Sequence, residues 1–389
     1  MTDRIHFKKF YPNYYSFLVN GAMVLLVGAI LPYLMEESGI NYSTAGLFLS
    51  AFAIGNFLAS FVNPFLTKAV GRKASIVITS CLMPLSLMGI SLIPPVPVII
   101  LLFVLLGISR GSYSIINNAY INEKGDGSAA ALNLLHMVFA IGAFLAPMIL
   151  SFYFKIGLSW RSIVYTISIA STISIIMVFM LDLSGNGEIK RAGHDSENVP
   201  SQKKKFWKEP VFFVSGFLLF FYLGLENCVN GWFVTYFKNT GIMSITFANS
   251  LVSFTWLAVL FGRLATAIVS TKVKQKHIIL ADCFAAAIFF TLLISTKNLA
   301  VITISIIALG FFFAGIYPTG VSNAGSVIKG SDLGTSMLLA ISALGGILTP
   351  QIVGSVADRI GLIGAIALLL VNMVAMIVLA LVNMKVKKD

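Results

Sequence analysis

Charge is what this sequence has least of. Only 11% of its 389 residues are Asp, Glu, Lys or Arg, against about 25% in an ordinary soluble domain. A water-soluble chain of this length would need far more polar surface to cover its core, so a soluble globular protein is excluded. Cysteine is scarce too. Cys81, Cys228 and Cys283 all lie inside apolar runs, with neither disulfide-framework nor metal-site spacing. They read as small buried hydrophobes. The sequence shows no nucleophile–base–acid set, no metal cluster and no Walker lysine motif. An enzyme, a resident metal or cofactor, and an ATP drive within this chain are therefore not expected. The strict alternation of a membrane β-barrel is absent as well.

What the sequence has is hydrophobic residues, 58% of the total. They fall in runs of roughly 20, enough to cross about 30 Å of hydrocarbon as an α-helix. A helix satisfies its own backbone hydrogen bonds and so can span lipid. The runs place twelve spans at 14–34, 44–67, 75–93, 97–120, 128–154, 160–183, 210–237, 246–270, 277–296, 299–326, 332–354 and 361–384. The expected fold class is an all-α membrane protein. The run from Tyr14 to Leu34 is too long for a cleavable signal, and no small-residue cleavage site follows it. It reads as the first span.

The net charge is +12. In a soluble protein that would point to nucleic acid, but here the placement of the charges decides. Twenty Lys and Arg residues lie on the side of the two termini. Lys155, Arg161, Lys238, Lys297 and Arg359 lie on the other, and Arg110 and Arg263 fall inside spans. Positive residues stay on the cytoplasmic side, so both termini are expected there, in a multi-pass cell-membrane protein. The basic excess is a topology signal with some contact to anionic lipid, and no nucleic-acid partner is expected. Glu36 and Glu37 read as solvated loop residues.

The chain repeats itself. Gly127, Ser128, Gly142 and Pro147 match Gly330, Ser331, Gly345 and Pro350 at one offset of 203 residues, and Leu135 and Leu145 match Leu338 and Leu348. The loop from Lys68 to Lys73 falls on Thr271 to Lys276. Between the sixth and seventh spans lies the one long polar stretch, with Gly185, Gly187, Gly193, Pro200 and Lys203–Lys205. The expected organisation is an N-terminal six-helix bundle over 1–183, a cytoplasmic linker over 184–209 and a C-terminal six-helix bundle over 210–389. A parallel six-span repeat of this kind places a site between the bundles at mid-membrane.

Five short segments carry a family resemblance. They are Leu132-Asn133-Leu134-Leu135-His136 with Phe139, Gly142 and Pro147; Gly224-Leu225-Glu226 with Gly231-Trp232 and Thr235-Tyr236; Gly262-Arg263-Leu264; Gly315-Ile316-Tyr317-Pro318-Thr319; and Gly345-Gly346, Pro350, Gly354 and Ala357-Asp358-Arg359. With these the chain resembles the major facilitator superfamily over nearly its whole length, and within it the fucose:proton symporter and glucose-transporter-like subfamily. The resemblance implies two pseudo-symmetric six-helix bundles, alternating access, a small-molecule substrate with a coupling ion, and a monomer. It gives Arg72 and Lys73, in Gly71-Arg72-Lys73, a gating role, and Asn133 and His136 a substrate or gating role. The sequence also departs from the family. Lys68 stands where an acid is usual, the first and fourth spans lack the family's carboxylates, and Pro147 lacks the paired glycines of the antiporter motif.

The residues themselves point to Glu226 as the proton-coupling group. It lies about 24 Å by helix rise into the seventh span. A charge at that depth costs about 2.5–3.5 kcal/mol, and such groups are usually functional. A carboxyl taken out of water is easier to protonate, as a proton carrier requires. Tyr222, Glu226, Asn230, Phe233 and Phe237 share one helical stripe, with Trp232 beside it. A carboxylate, an amide and aromatic faces suit a sugar. The bland alternative is a structural hydrogen bond between helices. Arg110 shares a stripe with Ser114 and Asn117, either as an ion-pair partner for Glu226 or as an anchor for an anionic substrate. Asn249, Ser253, Trp256 and Arg263 form another stripe. Trp256 would line the cavity or pack, and Arg263 would gate. Asn20, Asn56 and Asn63 bind either substrate or a neighbouring helix. Tyr317 before Pro318 marks either a broken helix at the site or a simple kink.

The leading function is ion-coupled transport of a small polar solute such as a monosaccharide, driven by protons or sodium. The alternatives are proton-driven efflux of amphipathic drugs, which 31 Phe and 14 Met would suit, or organic-anion transport.

Overall fold

The structure is a computed structural model and describes residues 7–124, 129–179, 206–329 and 331–386. Every regular element among them is helical: α1 (Phe7–Ser38), α2 (Tyr42–Val70), α3 (Arg72–Ser91), α4 (Val96–Lys124), α5 (Ala129–Lys155), α6 (Trp160–Phe179), α7 (Pro210–Thr240), α8 (Ile245–Val269), α9 (Gln275–Ser295), α10 (Leu299–Ile328), α11 (Asp332–Ala367) and α12 (Leu369–Val386), with a 3-10 turn at Phe206–Lys208. All twelve are long and apolar enough to cross a membrane. Gly127, Ser128, Gly330 and most of the expected linker (184–205) lie outside the described residues.

Several helices overrun the apolar runs that announced them. Hydrocarbon thickness sets only the least length a span needs. Helix α1 continues to Ser38, so Glu37 is exposed as expected but on a helix rather than in a loop. Its carboxylate accepts hydrogen bonds from both Arg161 terminal nitrogens (3.2 and 2.6 Å) and from Trp160 Nε1 (2.7 Å). The Arg161 guanidinium in turn lies 4.7 Å from the Trp160 ring centroid. This cluster ties the end of α1 to the start of α6. Helix α10 runs unbroken across Pro318, because neighbouring groups in a membrane bundle re-satisfy the backbone that proline frees. The break comes instead inside α11 at Gly361, whose φ of 79° belongs to the left-handed side that glycine alone adopts cheaply.

The chain divides into two compact units, Met1–Gly39 with Ala51–Asp195, and Ile40–Ser50 with Ser196–Asp389. In the first, α1 packs against α4, α5 and α6, and α3 against α4 and α6. In the second, α7 packs against α10, α11 and α12, and α9 against α10 and α12. Each pairing recurs six helices on, so the sequence repeat is a repeat of packing. Glycines set the closest crossings. A Cβ on Gly142 would strike the Leu18 carbonyl, and one on Gly345 the Phe220 carbonyl. Gly107 against Phe52 and Gly310 against Thr255 form a second matched pair, at the 203-residue offset. Small residues let membrane helices approach closely, and this van der Waals packing drives their association where lipid is as apolar as the core.

The second unit includes the first turns of α2. The backbone N–H groups of Tyr42 and Ser43 donate to the two carboxylate oxygens of Asp358 on α11, at 2.9 and 3.0 Å. These are donors that a helix start leaves without intrahelical partners. Ser43 also meets Ser355 and Gln351 of α11, and Tyr42 Oη accepts from Asn239 of α7.

Candidate functional site

In the second unit the polar cluster is built on α7. Four-residue spacing stacks Tyr222 beneath Glu226, and the Tyr222 hydroxyl donates to Glu226 Oε1 at 3.2 Å. The tyrosine ring meets Phe313 and Tyr317 of α10, with centroids 5.6 and 6.2 Å away. Arg263 of α8 lies within electrostatic reach of the same tyrosine. One turn further along α7, Asn230 Oδ1 accepts from Trp256 Nε1 of α8 at 3.1 Å. Glu226 and Asn230 are half-buried, while Tyr222 is buried. Three helices thus bring Tyr222, Glu226, Asn230, Trp256, Arg263 and Tyr317 together: a carboxylate, an amide, a guanidinium and flat aromatic faces.

The lower part of the stripe goes elsewhere. Phe233 is fully buried and packs on Tyr236, Phe237 and, across the helix interface, Phe290 of α9. Trp232 is fully buried and donates its Nε1 to the Pro350 carbonyl at 3.2 Å. Helix α7 packs against α8, α10, α11 and α12, so one angular stripe passes from polar partners to apolar ones along its length. Asn227, which sequence reasoning passed over, donates Nδ2 to the Gly346 carbonyl at 3.0 Å. It ties α7 to α11 at the close crossing marked by Gly345.

In the first unit, the Asn117 carboxamide makes three hydrogen bonds. Oδ1 accepts from Asn13 Nδ2 (3.0 Å) and Ser16 Oγ (2.9 Å), and Nδ2 donates to the Tyr113 carbonyl (2.7 Å). Its geometry is that of a tie between α1 and α4. Asn20 Nδ2 reaches the Arg110 carbonyl at 3.4 Å, while its buried Oδ1 makes no hydrogen bond among the described residues. Asn63 Nδ2 donates to Ser112 Oγ at 3.0 Å, joining α2 to α4. Arg110 is half-buried, with its guanidinium carbon 5.7 Å from the Phe52 ring centroid. Asn133 and His136 are exposed on one face of α5, the histidine edge-on to Phe17 at 5.6 Å. Arg72 pairs with Glu123 of α4 at 2.8 Å, a carboxylate from a different helix than the one missing at Lys68. Lys73 Nζ lies 5.5 Å from the Phe179 ring centroid.

Sequence reasoning also missed Asp282 on α9. Its Oδ2 is buried without a hydrogen-bond partner among the described residues. A Cβ at Gly315 of α10 would land on that oxygen and on Thr266 Oγ1 of α8. The signal was present, since Asp282 is the one carboxylate in the ninth apolar run. No cluster of three or more His, Cys, Asp or Glu side chains able to hold a metal occurs among the described residues.

Twelve helices long and apolar enough to cross a membrane, in two repeated bundles of six, define a multi-pass membrane protein, and the family its sequence matches makes it a transporter rather than an enzyme. The chain belongs to the Major Facilitator Superfamily, whose profile matches residues 14–350. Among curated proteins it is similar to a TsgA homolog of Erwinia tasmaniensis, 25% identical over 374 residues and covering 94% of this chain and 92% of that one. Protein TsgA of Shigella flexneri is 24% identical over 364 residues, covering 93% and 91%. Among solved structures, the nucleoside transporter NupG matches with a TM-score of 0.75 at 14% identity, covering 98% of this chain and 99% of that one. The xylose transporter XylE from E. coli matches at 0.73 and 14%, covering 97% of each. A variant of the E. coli fucose:proton symporter FucP matches at 0.61 and 16%, covering 99% and 100%. Identities this low carry the fold alone.

Proposed function

We propose that this chain is a secondary active transporter of a small polar solute, a monosaccharide or a molecule of similar polarity, coupled to a proton gradient by alternating access. The observation that carries the proposal is the Tyr222–Glu226 hydrogen bond, set against the Tyr317 ring and one helical turn from the Asn230–Trp256 pair. Glu226 is the coupling carboxyl. Protonation removes its charge and alters the bond it shares with Tyr222, so the proton and the solute contend for the same few atoms. Asn230 and Tyr317 offer hydroxyl-binding groups, and Trp256 and Tyr222 offer faces for the apolar side of a sugar ring. Solved structures of this fold include a nucleoside transporter, a xylose transporter and a fucose:proton symporter, whose solutes are of this polarity. Arg110, Asn20, Asn133 and His136 are the first unit's candidates for solute contact, whereas Asn117, Trp232 and Phe233 serve as scaffold. Arg72, held by Glu123, and Lys73 act as gate residues. The chain works as a monomer in the cell membrane, with both termini cytoplasmic.

A second reading, transport of an organic anion, is favoured by the positive charge of Arg263 acting on the Tyr222 cluster from α8. A thermal-shift screen of the purified protein against sugars, nucleosides, organic anions and cationic dyes separates the two, with Glu226→Gln and Arg263→Ala alongside. Stabilisation by a neutral polar solute that persists in Arg263→Ala, and whose dependence on pH is lost in Glu226→Gln, supports the first reading. Stabilisation only by anions, lost in Arg263→Ala, replaces it with the second.

A further inference from the structure

The 203-residue repeat places Thr79, Asn63 and Ser112 of the first unit where the second unit has Asp282, Thr266 and Gly315. The first junction is neutral and closed. Asn63 Nδ2 donates to the Ala59 carbonyl (2.7 Å) and Ser112 Oγ (3.0 Å), and Thr79 Oγ1 donates to its own helix at Ser75 and Ile76. In the second junction a carboxyl replaces the threonine, and glycine replaces the serine that would fill its place. The Asp282 side chain occupies the space Gly315 leaves open, with Oδ2 and Thr266 Oγ1 both meeting the point where a Cβ would stand. Asp282 forms no ion pair and no hydrogen bond among the described residues. The helices around it carry few titratable groups: Arg263 on α8, Tyr317 on α10, Lys385 near the end of α12, and Lys276, His277 and Cys283 on α9 itself. None of them partners the carboxyl.

We propose that Asp282 is a second proton-binding carboxyl of this transporter at the junction of α8, α9 and α10, taking its proton on Oδ2, which has no hydrogen-bond partner among the described residues, and on protonation turning it to the Thr266 hydroxyl that faces the same gap at Gly315. A buried acceptor atom with no donor is costly, and a carboxylic acid brings its own donor while threonine oxygen accepts. The tight approach of the Gly315 backbone leaves space for a proton rather than for a metal ion and its shell of oxygens. Thr266 lies one turn along α8 from Arg263, so a change at Asp282 bears on the helix that lines the Tyr222–Glu226 cluster. The inference rests on the transporter class and not on the role given to Glu226.

Infrared difference spectroscopy between acidic and alkaline buffer, on purified wild type, Asp282→Asn, Glu226→Gln and Thr266→Val, tests it without a known solute. The expected result is a neutral-carboxyl C=O band in wild type that vanishes on alkalinisation, is lost in Asp282→Asn, is kept in Glu226→Gln and moves to higher frequency in Thr266→Val. A band unchanged in Asp282→Asn overturns the proposal, and its loss in Glu226→Gln alone assigns the proton to Glu226 instead. Should Asp282→Asn not fold, the Thr266→Val spectrum decides by itself: an unmoved band overturns the proposal.

Discussion

Glu226 and Tyr222 sit on successive turns of one helix, so their hydrogen bond is set by α7 alone and survives any motion that keeps α7 intact. That makes the pair a sound place to separate coupling from binding. Glu226→Gln keeps size and hydrogen-bonding capacity but cannot take up and release a proton. In proteoliposomes with an imposed pH gradient it is expected to abolish accumulation above equilibrium while exchange of solute across the membrane persists. Accumulation equal to wild type would remove Glu226 from the coupling step. Tyr222→Phe deletes one hydrogen bond within the protein, worth about 1 kcal/mol, so the melting temperature should fall slightly, with coupling retained. Calorimetric unfolding reads the stability of Tyr222→Phe, and the proteoliposome assay on both variants reads coupling. At this scale the sequence was informative about type and poor about partners. A carboxylate in an apolar run identifies itself. Spacing could not show that Phe233 turns to Phe290 or that Asn117 is spent on Asn13 and Ser16, because those partners come from other helices.

Two contacts at the helix scale carry predictions of their own. Asp358 caps the start of α2 from another helix, accepting from two N–H groups at once. Asp358→Asn keeps an acceptor but removes the attraction between a negative charge and the positive end of the helix, worth about 0.3–1 kcal/mol at an exposed position. Asp358→Ala removes the cap altogether and should cost more, about 0.5–2 kcal/mol. The ordering of melting temperatures, wild type above Asn above Ala, is the observable, and equal values for all three would show that the cap contributes nothing. At the other crossing, Gly345→Ala pushes a methyl into the Phe220 carbonyl. Overpacking of this kind costs about 1–3 kcal/mol, so the yield of monodisperse protein should drop, with Gly142→Ala behaving alike in the first unit. The helices themselves were legible because a run of twenty apolar residues has few other fates. Their ends were less so. Asp358 was visible only as part of a motif, since its ligands are backbone N–H groups that no sequence pattern displays. The boundary drawn between 354 and 361 anticipated the break at Gly361, while Pro318 left a broken helix or a kink open, and α10 runs across it without a break.

Over the whole molecule, the repeat is the property that sequence and structure share most fully. The offset of 203 residues first shows in a few glycines and prolines, and the same helix pairs then recur six helices on. Duplication fixes the architecture but leaves the two units free to diverge in polarity, as the Asn63–Ser112 tie and the Asp282 junction do. It leaves orientation to the loops. Twenty basic residues on the side of the termini against five on the other is a strong bias, and such bias acts at the stage when helices insert. Both ends of the chain should therefore face the cytoplasm. A reporter that fluoresces only in the cytoplasm, fused after Asp389, should be bright, and alkaline phosphatase at the same point should be inactive. Moving the fusion to the break at Gly361 within α11, one span earlier, should reverse both signals. Bright phosphatase activity at the C-terminus would mean that the charge bias had been overridden and that every assignment of a cytoplasmic gate, Arg72 and Lys73 included, had to be moved to the opposite face. The phosphatase and fluorescence signals must trade places between the two fusion points, because a single helix, α12, separates them.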